Sequence, residues 1–359
     1  MKTKTNAIAV LLLIFVIPVC NVFAQDLSGK WAIAIHGGAG SLDRDMPAEK
    51  KEAFNKALAD ALNVGKAILA EGGTSLDAVQ ATVIELENCD LFNAGKGATY
   101  NRDGMHELDA SLMDGATLKC GAVAMVKEIK NPIVAARLVM EKTPHVLLCG
   151  PKADGFAKVN NCEMVQQSYF YTPRRFKMLQ KKREKLGLKP LDGPGYDMPK
   201  SETKLDAAST EEVKIETEES GGSTVGCVAL DQHGNLAAAT STGGLTAKLG
   251  GRVGDSPIIG AGTYANGTVA VSGTGIGEQY IRNTIAARVA MLIEIGNMKV
   301  DAAVNHCLTK VLNPNDGGLI AVDRDGNISQ RASTAAMARG AADSSGRFET
   351  KLWMDEDKE

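Results

Sequence analysis

The residues best placed to do chemistry sit where the chain changes character, at Gly221-Gly222-Ser223-Thr224-Val225-Gly226. A polar, charge-rich segment from about Arg174 to Ser220 ends here, and the apolar run Val225–Leu230 begins, reading as a buried strand. Asp231–Asn235 reads as a turn. A second run, Leu236–Thr240, leads to Ser241-Thr242-Gly243-Gly244. A hairpin of that length returns the Thr242 hydroxyl to the side of Thr224. Arg252-Val253-Gly254-Asp255 follows, with a guanidinium and a carboxylate in one tight loop. Gly273-Thr274-Gly275-Ile276-Gly277-Glu278 then forms a glycine-rich turn before a helical pattern, where backbone N–H groups can hold an oxyanion or a carboxylate. A lone threonine at a linker-to-strand junction is ordinarily structural. A second hydroxyl, paired charged anchors and an oxyanion cradle are what suit this one to nucleophilic work.

Taken together these stretches resemble the plant-type asparaginase and isoaspartyl peptidase family of N-terminal-nucleophile hydrolases. The matching text is Thr224-Val-Gly226, Ala239–Gly244, Gly251–Pro257, Gly260-Ala-Gly262 and Thr274–Glu278, and upstream His36–Gly40, Phe92–Gly95, Asp109–Gly115 and Asn131-Pro132. The resemblance spans Trp31 to about Met337. It implies scission between Ser223 and Thr224, with residues 25–223 and 224–359 as the two subunits of one folded unit. Thr224 becomes the nucleophile and Thr242 orients it. Thr274 and Gly275 stabilise the oxyanion. Arg252, Val253, Gly254, Asp255, Thr274, Gly275, Ile276 and Gly277 surround the substrate, Arg252 on its α-carboxylate and Asp255 on its α-ammonium. Asn93 is a candidate polar contact. The resemblance also implies a sodium ion held by backbone carbonyls near Leu86–Asn93, no required cofactor, and a homodimer of cleaved protomers. Two departures stand out: Ser223 where the family has glycine, and Ser333–Met337 in place of Asn-Thr-x-Gly-Met.

Scission would change the chemistry of Thr224. A threonine hydroxyl is a poor nucleophile until a base takes its proton. A new chain end supplies an α-amine with a reference pKa of about 7.7–8.0, and a modest downward shift leaves it basic and neutral near pH 7. One residue then holds both nucleophile and base, so none of the five histidines is needed. The expected reaction is release of L-aspartate from β-aspartyl dipeptides and L-asparagine. Glycosylasparaginase activity on N-glycosylated asparagine and an unprocessed, non-catalytic binding protein remain alternatives.

The elements that must position these groups follow from periodicity. Trp31–Ile35 reads as a strand ending in a turn at His36–Gly40, a backbone support in which His36 is structural. No Gly-x-Ser-x-Gly elbow accompanies it, which sets lipase-type chemistry aside. Pro47–Glu71 and a helix capped by Thr74 have amphipathic spacing. Glu107–Met113 and Cys120–Val126 read as strands, Asn131-Pro132 opens a helix, and Val146–Leu148 reads as a strand. Glu278–Ile295 and Asp301–Leu312 read as two long helices. A weak repeat aligns Ala229–Asn235 with Ala321–Asn327, each strand, turn, strand. Repeated hairpins between helices suit an α+β, four-layer αββα sandwich of two antiparallel sheets, the fold of N-terminal-nucleophile hydrolases.

Composition frames the rest. Hydrophobic content of 44% with 4% aromatics predicts an aliphatic core rich in small residues, and a formal charge of −3 gives no reason to expect nucleic acid. Lys2 and Lys4, the apolar Ala7–Ile17 and Val22-Phe23-Ala24 read as a signal peptide over residues 1–24, too short to span a bilayer. They predict export to a periplasm or the exterior, with no membrane attachment after cleavage. Six cysteines follow it without a CxxC pair and read as buried thiols. The stretch from about 172 to 223 reads as a flexible charged linker, dispensable after scission.

Overall fold

The computed structural model describes residues 29–40, 42–197 and 224–358. The leader at 1–24, Ser223 and the acidic part of the linker lie outside the described residues. Among those described, no helix is long and apolar enough to cross a membrane.

The strands, in chain order, are β1 Ala32–Gly40, β2 Leu108–Asp114, β3 Cys120–Val126, β4 Leu147–Cys149, β5 Val225–Leu230, β6 Leu236–Thr242, β7 Thr263–Ala265, β8 Val269–Gly275, β9 Gly317–Asp323, β10 Ile328–Ala332, β11 Ala336–Asp343 and β12 Phe348–Trp353. The helices are α1 Ala48–Ala70, α2 Ser75–Asn88, α3 Pro132–Lys142, α4 Gly150–Val159, α5 Pro173–Lys185, α6 Gly277–Asn283, α7 Ile285–Glu294 and α8 Val300–His306. An eight-stranded sheet runs β12-β11-β1-β5-β6-β2-β3-β4, and a four-stranded sheet runs β10-β9-β8-β7.

Strand alternation sends each residue to one of two sides, and three separate cores result. Ile33 and Ile35 of β1 and Val225, Cys227 and Ala229 of β5 face α1–α3. Ala32, Ala34, Val228, Leu230 and Ala238 face Ala270, Ile320 and Val322 of the other sheet. Val269, Val271, Leu319 and Ala321 face α7 and α8. Helix, sheet, sheet, helix is the αββα sandwich. The sequence repeat is realised as one hairpin in each sheet. Asp231 Oδ1 accepts from His233 and Asn235 N–H, and Asp323 Oδ1 accepts from Asp325 and Asn327 N–H, so the same Asx-type turn closes both.

The structure corrects five expectations. The sheets are not wholly antiparallel, because the edge strand β4 pairs parallel to β3 after the α3 crossover. His36–Gly40 is not a turn: β1 runs through it, paired to β11 and β5, with a bulge between His36 and Gly38. Its glycines serve packing instead, since a Cβ on Gly37 would lie 2.4 Å from the Phe92 ring. The helix expected over Glu278–Ile295 breaks at Thr284, which has φ 46°. The N–H groups of Ala286 and Ala287 there bond the carbonyls of Ala261 and Gly260, so α7 starts afresh on that loop.

The charge-rich segment is folded over its first part. Thr172 caps α5 by accepting from Arg175 N–H. Leu179 is buried with Tyr100 and Ala247, beside Phe176, Leu191 and Tyr196. The six described cysteines are free, but among them only Cys227 and Cys307 are buried, and Cys149 is exposed.

Candidate active site

Alternation also builds the site. Continuing the inter-sheet side from Leu230 and Val228 back along β5 reaches Gly226 and Thr224. The same side of β6 carries Thr240 and Thr242, and that of β8 carries Ser272 and Thr274. The layer between the sheets is therefore apolar at one end and hydroxyl-rich at the other. Val225 pairs with Ser241 in the β5–β6 ladder, which leaves Thr224 opposite Thr242. Thr224 Oγ1 donates to Thr242 Oγ1 at 3.1 Å, and Thr242 Oγ1 also accepts from Gly244 N–H at 3.0 Å. Both threonines are buried.

A narrow cleft opens on this pair, lined also by Gly244, Arg252, Asp255 and Gly275. Arg252 holds Glu278 at two points, Nε to Oε1 and Nη2 to Oε2, each 2.9 Å. Its Nη1 lies towards the cleft-lining Gly244 and Gly254, where a Cβ would be 3.3 and 2.7 Å away. Asp255 is buried with Oδ2 lacking a hydrogen-bond partner. Burial pushes its carboxyl up to about 7 against the pull of Arg252. A buried, half-satisfied carboxyl in a cleft is a functional candidate, and a substrate ammonium would complete it.

At the far wall, a Cβ on Gly275 would lie 2.0 Å from Asp316 O, so the backbone passes too closely for any side chain. Thr274 Oγ1 accepts from Ala39 N–H at 3.2 Å, tying β8 to β1. The arrangement has a hydroxyl nucleophile with a hydroxyl partner, a cation and a carboxyl for a zwitterionic substrate, and a backbone wall at Thr274-Gly275.

A family profile described as Asparaginase matches residues 29–352. A protein of Salmonella typhimurium named isoaspartyl peptidase is 46% identical over 314 residues, covering 86% of this chain and 94% of its own. One of Escherichia coli with the same name is 45% identical over 315 residues, 87% of this chain and 92% of its own. A mouse protein named isoaspartyl peptidase/L-asparaginase is 38% identical over 309 residues, 85% of this chain and 86% of its own. The chain belongs to the asparaginase family.

This asparaginase-family site brings together most of the residues singled out in the sequence. Thr224, Thr242, Arg252, Gly254, Asp255 and Gly275 line the cleft, while Val253, Thr274, Ile276 and Gly277 do not. Ile276 N–H is bonded to Asp316 O. Gly277 backs the anchors, with room for only a hydrogen beside Arg252 Nη2 and Asp255. Asn93 is an indirect contributor: its Nδ2 donates to Gly244 O at 2.7 Å and its Oδ1 accepts from Thr99 N–H at 2.8 Å. It braces the turn after Thr242 rather than facing substrate.

Two contributors went unpredicted. Glu278 is the partner of Arg252, a pairing across 26 residues that no local spacing signals. His36 touches the carbonyl of Thr224, with Nδ1 2.9 Å from the oxygen. The hydroxyls at alternate positions of β6 and β8 are the signal that could have marked the polar end of the inter-sheet layer.

The loop after α2 suits a hard cation in part. Gly95 and Gly97 sit where a Cβ would be 2.2 Å from Glu87 O and 2.0 Å from Phe92 O, so carbonyls turn inward on bare backbone. Arg174 donates to Asp90 O and Leu91 O, and Arg175 to Gly97 O, so guanidinium groups already serve those carbonyls.

Proposed function

We propose that this protein is a self-processing amidohydrolase that releases L-aspartate from β-aspartyl dipeptides and L-asparagine. The observation that carries the reading is the pairing of the Thr224 and Thr242 hydroxyls in a cleft that also presents Arg252 and Asp255. Relatives matched over most of both chains bear the names isoaspartyl peptidase and L-asparaginase, which supports this substrate class.

In this reading Thr224 Oγ first attacks the carbonyl of Ser223. The resulting ester hydrolyses and frees the Thr224 amine. In turnover that amine takes the hydroxyl proton as Oγ attacks the substrate's side-chain carbonyl. Gly275 N–H and the Thr274 hydroxyl receive the oxyanion, where one donor is typically worth about 2.7–4 kcal/mol. The protonated amine passes its proton to the leaving amine or ammonia. Water then attacks the aspartyl ester and releases aspartate. Arg252 holds the α-carboxylate through its cleft-facing nitrogen, and Asp255, ionised, holds the α-ammonium.

A sodium ion bound by the carbonyls of Glu87 and Phe92 would stiffen the loop carrying Asn93 and take no part in the chemistry. Export, removal of the leader and pairing into a homodimer belong to the same proposal.

The test is side-by-side assay of a β-aspartyl dipeptide, L-asparagine and an N-glycosylated asparagine. Turnover of the first two is expected. Exclusive turnover of the glycosylated substrate would replace the reading with glycosylasparaginase.

A further inference from the structure

His36 lies between the two sheets with no access to solvent. Its Nδ1 is 2.9 Å from Thr224 O and its Nε2 is 2.9 Å from Ser272 Oγ. A carbonyl can only accept, so Nδ1 carries a proton. Burial holds the ring's pKa down at about 3, so the ring is neutral and Nε2 is an acceptor.

The rest of the network follows by counting protons. Ser272 spends its one hydroxyl proton on Nε2. Thr240 Oγ1 lies 2.7 Å from Ser272 Oγ, and with the serine's proton spent on Nε2 it is Thr240 that donates. Its contact to Gly262 O is longer, at 3.2 Å. Thr263 Oγ1 in turn donates to Thr240 Oγ1 at 2.6 Å. At the far end Ser111 Oγ lies 2.8 Å from Thr263 Oγ1 and 2.6 Å from Ser256 O, and its single proton serves only one of them, so the directed chain begins at Thr263. All these hydroxyls are buried. Protons point one way from Thr263 through Thr240, Ser272 and His36 to the carbonyl of Thr224.

The relay passes over Gly226. A Cβ there would lie 2.1 Å from Ser272 Oγ and 2.4 Å from His36 Nε2. The glycine two residues after the nucleophile is thus the space that lets the imidazole meet the serine.

We infer that His36 is a positioning residue for the nucleophile, and that the Thr263–Thr240–Ser272 hydroxyl relay holds its ring to that task. The imidazole fixes the Thr224 carbonyl, and with it the main chain from which both the hydroxyl and the freed amine project. Donors aligned head to tail polarise one another and strengthen that grip. This rests on the reading of Thr224 given above and deepens it.

The test uses fully processed enzyme, with side-chain 15N NMR of the histidines beside steady-state kinetics. In the wild type, His36 is expected to show the neutral Nδ1–H form without titrating between about pH 5 and 9. Ser272→Ala should lower kcat roughly tenfold with KM little changed, and His36 should begin to titrate or populate the Nε2–H form. Thr240→Val, one step further along, should give a smaller loss in the same direction. His36→Gln and the double variant His36→Gln/Ser272→Ala should have similar kcat, because one relay is broken in both.

A wild-type His36 carrying its proton on Nε2, or charged at pH 7, would overturn the inference. So would unchanged kcat in both Ser272→Ala and His36→Gln. Failure of the wild type to process or hydrolyse would defeat the functional reading instead. The ring's protonation state in unprocessed protein would still decide the relay.

Discussion

Arg252 and Glu278 face each other in a two-point ion pair, with both N···O separations at 2.9 Å. The fork geometry belongs to arginine alone. Arg252→Lys should keep a positive charge yet lose both the Glu278 clamp and the oriented cleft-facing nitrogen. Charge-assisted hydrogen bonds are worth about 1.5–3 kcal/mol, so kcat/KM should fall by roughly ten- to a hundredfold, chiefly through KM. Steady-state kinetics on a β-aspartyl dipeptide check this, and wild-type KM would show that Arg252 does not anchor substrate.

Thr242 is a partner of Thr224 rather than a reacting group. Thr242→Val removes the 3.1 Å contact and the acceptor for Gly244 N–H while nearly preserving shape. The loss of one or two such bonds, at about 0.5–1.5 kcal/mol each, should lower kcat by roughly two- to a hundredfold without unfolding the protein. Wild-type kcat in a folded variant would remove the orienting role.

Asp255 sets a pH limb. Its carboxyl is pushed up to about 7 by burial, and only the ionised form pairs with a substrate ammonium. kcat/KM should therefore rise as pH increases through about 7 and fall below it. The amine proposed for Thr224 must also be neutral and should add its own acid limb. Asp255→Asn should leave low residual activity with the amine's limb alone. A wild-type profile flat from about pH 6 to 8 would contradict both assignments.

Glu87 bears on stability rather than catalysis. It is fully buried, accepts from Ser241 Oγ at 2.6 Å and from Ile133 N–H at 3.2 Å, and burial raises its carboxyl to about 8. A raised folded pKa means that the native state keeps a proton the unfolded chain has released. Its contribution is therefore full below the ordinary carboxyl range and is lost as pH rises through about 8. Glu87→Gln should flatten this decline. Urea unfolding of wild type and variant at several pH values between the two limits checks it, and parallel curves would refute it.

Helix α5 should behave as part of the body of the protein. Leu179→Ala empties a position packed among Tyr100 and Ala247 and should cost about 2–5 kcal/mol in denaturant unfolding. A loss well under 1 kcal/mol would mean the helix is not docked as described.

Much of this is legible in the sequence. Alternation in Val225–Leu230 and Leu236–Thr242, with the Asp-x-x-Gly-Asn turn between them, places Thr242 beside Thr224 because hairpin register follows from turn length. The same pattern at Ala321–Asn327 points to a second hairpin. What stayed hidden depends on distant partners. The glycines of His36–Gly40 read as a turn, but close approach to Phe92 explains Gly37 within a strand. The break at Thr284 comes from carbonyls of a loop more than twenty residues earlier. The basic residues of α5 read as part of a flexible linker, yet Arg175 is buried and reaches Gly97 O. Burial at these places is decided by contacts that local composition does not encode.

The proposed mechanism requires Thr224 to become a chain terminus. The most direct measurement is intact mass together with N-terminal sequencing of active, purified enzyme. A fragment beginning Thr-Val-Gly-Cys is expected, absent in Thr224→Ala, which should also lack turnover. An active wild type with an unbroken chain through residue 224 would contradict it.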